Sequence, residues 1–145
     1  MNVFIVGTPY YTASILDKKR LHKQVIECRQ ILSALEGKTK AWRNHPCTLQ
    51  YENHTMWLML YMECLESWLK GNRYNALIAS CQAYLEYRPS WHTEDFFDQM
   101  KRRLFTKDPK HYAQWAHLGT SEVNWYFVEG EWRYYKDGKK IKLWK

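Results

Sequence analysis

The sequence predicts a mainly α protein: a compact single-domain helical bundle with a short N-terminal extended segment and a small C-terminal β meander. Three observations predict it. Apolar residues recur at helical spacing through most of the chain. The period changes in the tail, "VNWYFVEGEWRYYKDGKKIKLW", where aromatic and β-branched runs alternate with turn signals. The chain has 145 residues, 46% apolar and 17% aromatic, which is enough to bury one real core. We divide it into a helical domain over residues 1–118 and a β appendage over residues 119–145.

The elements follow in order. "VFIV", residues 3–6, reads as a short buried strand or extended segment, closed by Gly7, Thr8 and Pro9. Ser14 and Asp17 have the spacing of a capping box before the first helix, which Gly37 ends. Leu21, Val25, Cys28, Leu32 and Leu35 form its core-facing stripe. Arg20, Lys23, Glu27 and Gln30 form a second stripe, so Glu27 is expected on an exposed or cleft-lining face near several cations. "KTKAWRNHP" is a polar loop, and Pro46 suits the first turn of a second helix. Trp57, Leu60, Tyr61, Cys64, Leu65 and Trp68 give that helix its apolar stripe, and His54 points inward with them.

Gly71 stops the second helix and Asn72 caps a third, whose buried face is expected at Tyr74, Leu77, Ile78, Cys81 and Leu85. Pro89 breaks it. Thr93, Glu94 and Asp95 start a fourth helix, with Lys101, Arg102 and Arg103 near the end where the helix dipole favours cations. Asp108 and Pro109 cap a short helix to about His117. Turn signals at Glu129-Gly130 and Asp137-Gly138 divide the tail into three strands.

The net charge is +7 and unevenly placed. Residues 17–43 hold eight Lys/Arg against three acids, whereas residues 52–98 hold three against seven. Basic segments around an acidic middle predict a cationic patch assembled by folding, suited to phosphates on a polymer or a small nucleotide. The four cysteines form no Cys-x-x-Cys pair, no secretory signal is visible, and no apolar run is long enough to span a membrane. We therefore expect a cytoplasmic protein with reduced thiols, in the host cytoplasm if phage-encoded. The six His show no metal-ligand spacing, so neither a metal nor a cofactor is expected.

The order of motifs resembles the pyrimidine dimer DNA glycosylase family (phage endonuclease V-type), in its bacterial and phage branch. "SILDKKRLHKQVIE", "WRNHP", the helix over residues 54–68 and "RRLFTKDPKHY" carry the resemblance across residues 1–117. It implies a DNA-repair enzyme that flips a nucleotide from damaged duplex DNA. The free N-terminal amine attacks the sugar's anomeric carbon, forms an imine, and cleaves the strand by β-elimination with help from a helix-one glutamate. Counted from Leu21, that glutamate falls on Glu27. The catalytic set implied is Glu27 with Met1 and Asn2. Asn2 is too large for routine removal of the initiator methionine, so the amine belongs to Met1. Two family arginines, one just before the glutamate and one three residues after it, are Ile26 and Gln30 here.

The chemistry is reasonable, because an α-amine titrates at about 7.7–8.0, against about 10.4 for lysine, and only a neutral amine is nucleophilic. Arg20, Lys23, Gln24, Arg43, His45, Arg102 and Arg103 are the expected phosphate or nucleotide contacts. Trp42, Trp91 and Tyr112 are the expected base-stacking residues. A plainer reading of Glu27 is a surface pair with Lys23, four residues earlier. The alternative function is a non-catalytic phage protein of the same fold that sequesters a (cyclic) nucleotide immune signal. The partner is then DNA or a small nucleotide, without a membrane, and a homo-oligomer could complete the site.

Overall fold

Among the described residues, six α-helices and three β-strands make the protein mainly helical. The computed structural model describes residues 1–136 and 139–144, and divides into two compact units, Met1–Ser90 and Trp91–Lys145. Among the described residues no helix is long and apolar enough to cross a membrane.

In the first unit, residues 3–6 are extended and almost fully buried. Among the described residues they pair with no strand. Side chains satisfy the backbone instead, as a buried polar main chain requires. Phe4 N donates to Gln24 Oε1 at 2.9 Å and Val6 N to Thr12 Oγ1 at 3.1 Å. The Tyr61 hydroxyl donates to the Phe4 carbonyl. This explains why Gln24 and Thr12 are buried despite their polarity.

Helix α1 spans Pro9–Ile15, with Thr8 as its N-cap and Pro9 in its first turn. Sequence periodicity missed it, because seven residues hold too few turns for a pattern. The proposed capping box is corrected accordingly: Ser14 lies inside α1, and Asp17 is the N-cap of α2, Lys18–Leu35, accepting from Arg20 N. Gly37 follows α2 at φ +78°, a left-handed conformation that suits glycine just past a helix end.

The expected second helix is two helices. Helix α3, Pro46–Gln50, ends at Tyr51, and α4, Thr55–Leu69, begins after His54. His54 is therefore a half-buried residue at a helix start and not part of a continuous apolar stripe. Trp57, Leu60, Tyr61, Cys64 and Leu65 are buried as expected, and α4 packs on both α2 and the next helix. Tyr51, Trp57 and Tyr61 stack in series, with ring centroids 5.4 and 5.0 Å apart.

Helix α5, Arg73–Gln82, is capped by Asn72 and continues as one π turn over Ala83–Tyr87 before Pro89. Its orientation is the clearest departure from expectation. Tyr74, Leu77, Ile78, Cys81 and Leu85 face outward, and Leu85 is 78% exposed. Ala76, Ala79, Ser80 and Ala83 form the buried face. Small side chains let α5 approach α4 closely, and Ser80 Oγ accepts from Tyr10 N at 2.9 Å.

In the second unit, α6, Glu94–Lys107, is capped by Thr93 as expected. The short helix after it is 3₁₀ and covers Ala113–Leu118, later than the predicted start; Asp108 instead accepts from His111 N in the preceding turn. Strands β1 (Asn124–Val128), β2 (Glu131–Lys136) and β3 (Lys139–Trp144) form an antiparallel meander in that order. Glu129 and Gly130, both at positive φ, make the first hairpin turn. The second predicted turn, Asp137-Gly138, lies outside the described residues.

Candidate active site at the start of the chain

Helix α2 brings a carboxylate to the first residues of the chain. Glu27, expected on an exposed or cleft-lining face, is only 8% exposed. Its Oε2 accepts from Asn2 N at 3.3 Å and from Gln24 Nε2 at 3.2 Å. Gln24 Nε2 also donates to the Asn2 carbonyl at 2.8 Å. Gln24 thus grips the first residues and orients Glu27. The phosphate contact expected of it is replaced by a positioning one. Burial of Glu27 has the same origin: residues 24 and 27, three apart on one helix, face a backbone that needs partners.

Three further groups surround this pair. Cys47 is fully buried, and its thiol takes a hydrogen bond from the backbone at Val3. Burial pushes the thiol up to about 12; the charge of Glu27 raises it further, while the amine at Met1 and the Val3 hydrogen bond pull it down. Cys28 is raised well above the usual thiol range by burial first, then by Cys47 and Glu27. His45, the N-cap of α3, accepts from Cys47 N through Nδ1 at 3.1 Å. Half-burial, and then the charge of the Met1 amine, lower its imidazole to about 4. At neutral pH His45 is therefore uncharged. Amine, carboxylate, imidazole and thiol share one neighbourhood, and both thiols are too strongly protonated to serve as nucleophiles.

The expected cations behave differently from one another. Lys23 keeps its Nζ 3.9 Å from Glu27 Oε1 and stays 68% exposed, so both the surface pair and a nearby cation are realised. Arg20 pairs with Asp17 at 3.0 Å and Arg43 with Glu52 at 2.9 Å. Trp42 is 44% exposed and sets its ring edge-to-face with His45, at 5.5 Å between centroids.

Four expected contacts lie in the second unit and are held within its own structure. Arg102 Nε donates to the Leu118 carbonyl at 2.8 Å. Arg103 donates to Asn124 Oδ1 and to the Ser121 carbonyl, each at 3.0 Å, and burial lowers its guanidinium. Tyr112 is fully buried and stacks on Trp115, and Trp91 is 5% exposed against Phe96 and Phe127. Both rings fill a core instead of offering a face to a base. The sequence had nothing to separate these residues from Trp42, because every one neighbours cations in the chain. Cys47, by contrast, escaped notice because a lone cysteine carries no motif.

Helix α2 thus holds a buried carboxylate against the backbone of Asn2, in a mainly helical chain of net charge +7. The chain belongs to the pyrimidine dimer DNA glycosylase family, whose sequence profile matches residues 1–75. That match contains every member of the cluster just described and ends within α5, before "RRLFTKDPKHY". Neither the curated proteins nor the solved structures include one that matches the chain.

Proposed function

We propose that the protein is a DNA glycosylase and AP lyase that acts on damaged DNA through the α-amine of Met1 and the carboxylate of Glu27. The observation that carries this reading is the 3.3 Å contact between Glu27 Oε2 and Asn2 N, one residue from that amine. A surface ion pair would not need the first residues of the chain drawn into a buried polar cluster.

The neutral amine forms a bond to C1′ of a flipped nucleotide as the C1′–base bond breaks, and the base leaves with a proton. Glu27 takes a proton from the amine nitrogen and passes it to the ring oxygen as the C1′–O4′ bond breaks, which leaves a protonated C1′ imine and restores the Glu27 carboxylate. Glu27 or a water then takes a C2′ proton, and the C3′–O bond breaks with departure of the phosphate. His45, uncharged at neutral pH, adds no competing positive charge beside the amine. Lys23 supports the reading as an exposed cation beside Glu27, of the kind that binds DNA phosphate. Flipping costs a few kcal/mol, least at a damaged base.

The test is borohydride trapping on abasic-site duplex. A covalent adduct is expected with the native protein and none after N-terminal acetylation. No adduct, together with submicromolar binding of a free nucleotide, would replace this reading with nucleotide sequestration.

A further inference from the structure

Helix α5 and the π turn after it present large apolar side chains to water. Tyr74, Leu77, Ile78 and Cys81 are exposed along α5, and Leu85 is exposed in the turn. Tyr74 is 76% exposed and Leu85 78%. The inward face is Ala76, Ala79, Ser80 and Ala83. A surface helix ordinarily does the reverse, with its large apolar side chains on the core. The spacing adds a second sign. Tyr74, Ile78, Cys81 and Leu85 follow one another at intervals of four, three and four residues. That alternation is the a/d seam by which one helix packs along another. A continuous exposed apolar patch of this kind marks an interaction surface, where scattered single residues would not.

The ends of the stripe say what covers it. Arg73, the first residue of α5, is exposed, with its guanidinium over the Trp68 ring at 3.5 Å. Glu86 is exposed in the π turn, one residue beyond Leu85. Residues 74–85 between them carry no charge. Two copies of the helix, laid antiparallel about an axis midway between Ile78 and Cys81, set Ile78 of one copy against Cys81 of the other. The same axis sets Tyr74 against Leu85, and Arg73 of each copy against Glu86 of the other. One two-fold therefore matches apolar with apolar along the centre and positive with negative at both ends. Parallel pairing in register would set each charge against its like.

We propose that this face of α5 is the seam of a two-fold dimer of the chain, with the two α5 helices antiparallel. Tyr74, Ile78, Cys81 and Leu85 form its apolar centre, and Arg73 and Glu86 close both ends. Burial of the apolar side chains drives association, and the end charges set its direction and register. The inference is independent of the proposed reaction, because no residue of the seam belongs to the cluster around Glu27.

The test is sedimentation equilibrium on the full chain, from micromolar to millimolar concentration, in reducing buffer so that Cys81 disulfides contribute nothing. The native protein is expected to pass from monomer to dimer across that range. Ile78→Lys, at a position 47% exposed, should keep its circular dichroism. It should dimerise at least about thirtyfold more weakly, the worth of one buried interface anchor. Arg73→Glu and Glu86→Arg each set like charges together at both ends, and each should weaken self-association by about three- to tenfold, the range of exposed charge pairs. Mixing these two variants in equal amounts restores opposite charges at both ends, and should recover the native affinity. The mixture carries the test if Ile78→Lys fails to fold. A native protein that stays monomeric at millimolar concentration overturns the seam and leaves the face to a different occupant. A dimer equally tight in folded Ile78→Lys places the contact elsewhere and overturns it too. A mixture that associates no better than its separate parts overturns the antiparallel pairing.

Discussion

The two units of the molecule treat their charged residues in opposite ways. In the second unit, Arg102 and Arg103 are absorbed by carbonyls and an amide that join α6 to the segment leading into β1. In the first, Glu27 and Gln24 are buried against the opening residues of the chain, while Lys23 stays in water. Positive charge near an aromatic residue describes both places in the sequence. The distinguishing mark of a candidate site is a buried acid held where the fold has an amine to offer. Buried polar groups need partners, and here the partners of Glu27, Asn2 N and Gln24 Nε2, hold it one residue from the amine of the proposed reaction.

Several changes would break or sharpen that contrast, and the largest is expected at Glu27. Glu27→Gln retains an oxygen able to accept from Asn2 N, so the fold should survive by circular dichroism. Strand cleavage in single-turnover assays should fall by about 10²–10⁴, the usual worth of a general acid–base group. Unchanged cleavage would reduce Glu27 to an anchor for the extended segment.

In the second unit the cost should appear in stability. Tyr112→Ala removes a fully buried ring that stacks on Trp115, and should cost about 3–5 kcal/mol in denaturant unfolding. Affinity for DNA, measured where the variant is folded, should stay within about twofold. A large affinity loss in a folded Tyr112→Ala protein would return that ring to the binding surface. Arg103→Met should cost less, about 1–3 kcal/mol, by leaving the Ser121 carbonyl and Asn124 without their donor. Its effect on the salt dependence of DNA binding should be negligible, whereas Lys23→Met should lower the slope of log affinity against log salt by about one.

The smallest effect is at His45. Its folded value of about 4 lies below the ordinary 6.5, so the unfolded chain binds the extra proton first as pH falls. Stability is expected to be flat above about pH 6.5 and to decline between pH 6.5 and 4. His45→Asn, which keeps a side-chain acceptor for Cys47 N, should flatten that decline in part; His54, also lowered by burial, supplies some of the rest. An NMR titration of His45 near 6.5 would place the imidazole in water and away from the amine.

Local features were legible before the structure. Asn72, Thr93, Gly37 and the Glu129-Gly130 turn depend on residues within one turn of themselves, and each stands where its chemistry predicts. Helix periodicity was legible too, but not what each face meets. The spacing of Tyr74, Leu77, Ile78 and Cys81 shows a stripe, whereas the alanines opposite it are what fit against α4. The position of Glu27 followed from the family's helix-one pattern. Its burial did not, because that depends on an extended segment with no strand to pair with. Trp91 and Tyr112 became core residues through contacts made only in three dimensions.

The most direct test is to digest the borohydride-trapped protein–DNA adduct and locate the modification by mass spectrometry. The account predicts a single adduct on the α-amine of the peptide that begins at Met1, lost together with cleavage in Glu27→Gln. An adduct on a lysine side chain, or a Met1 peptide recovered unmodified from trapped protein, would contradict it.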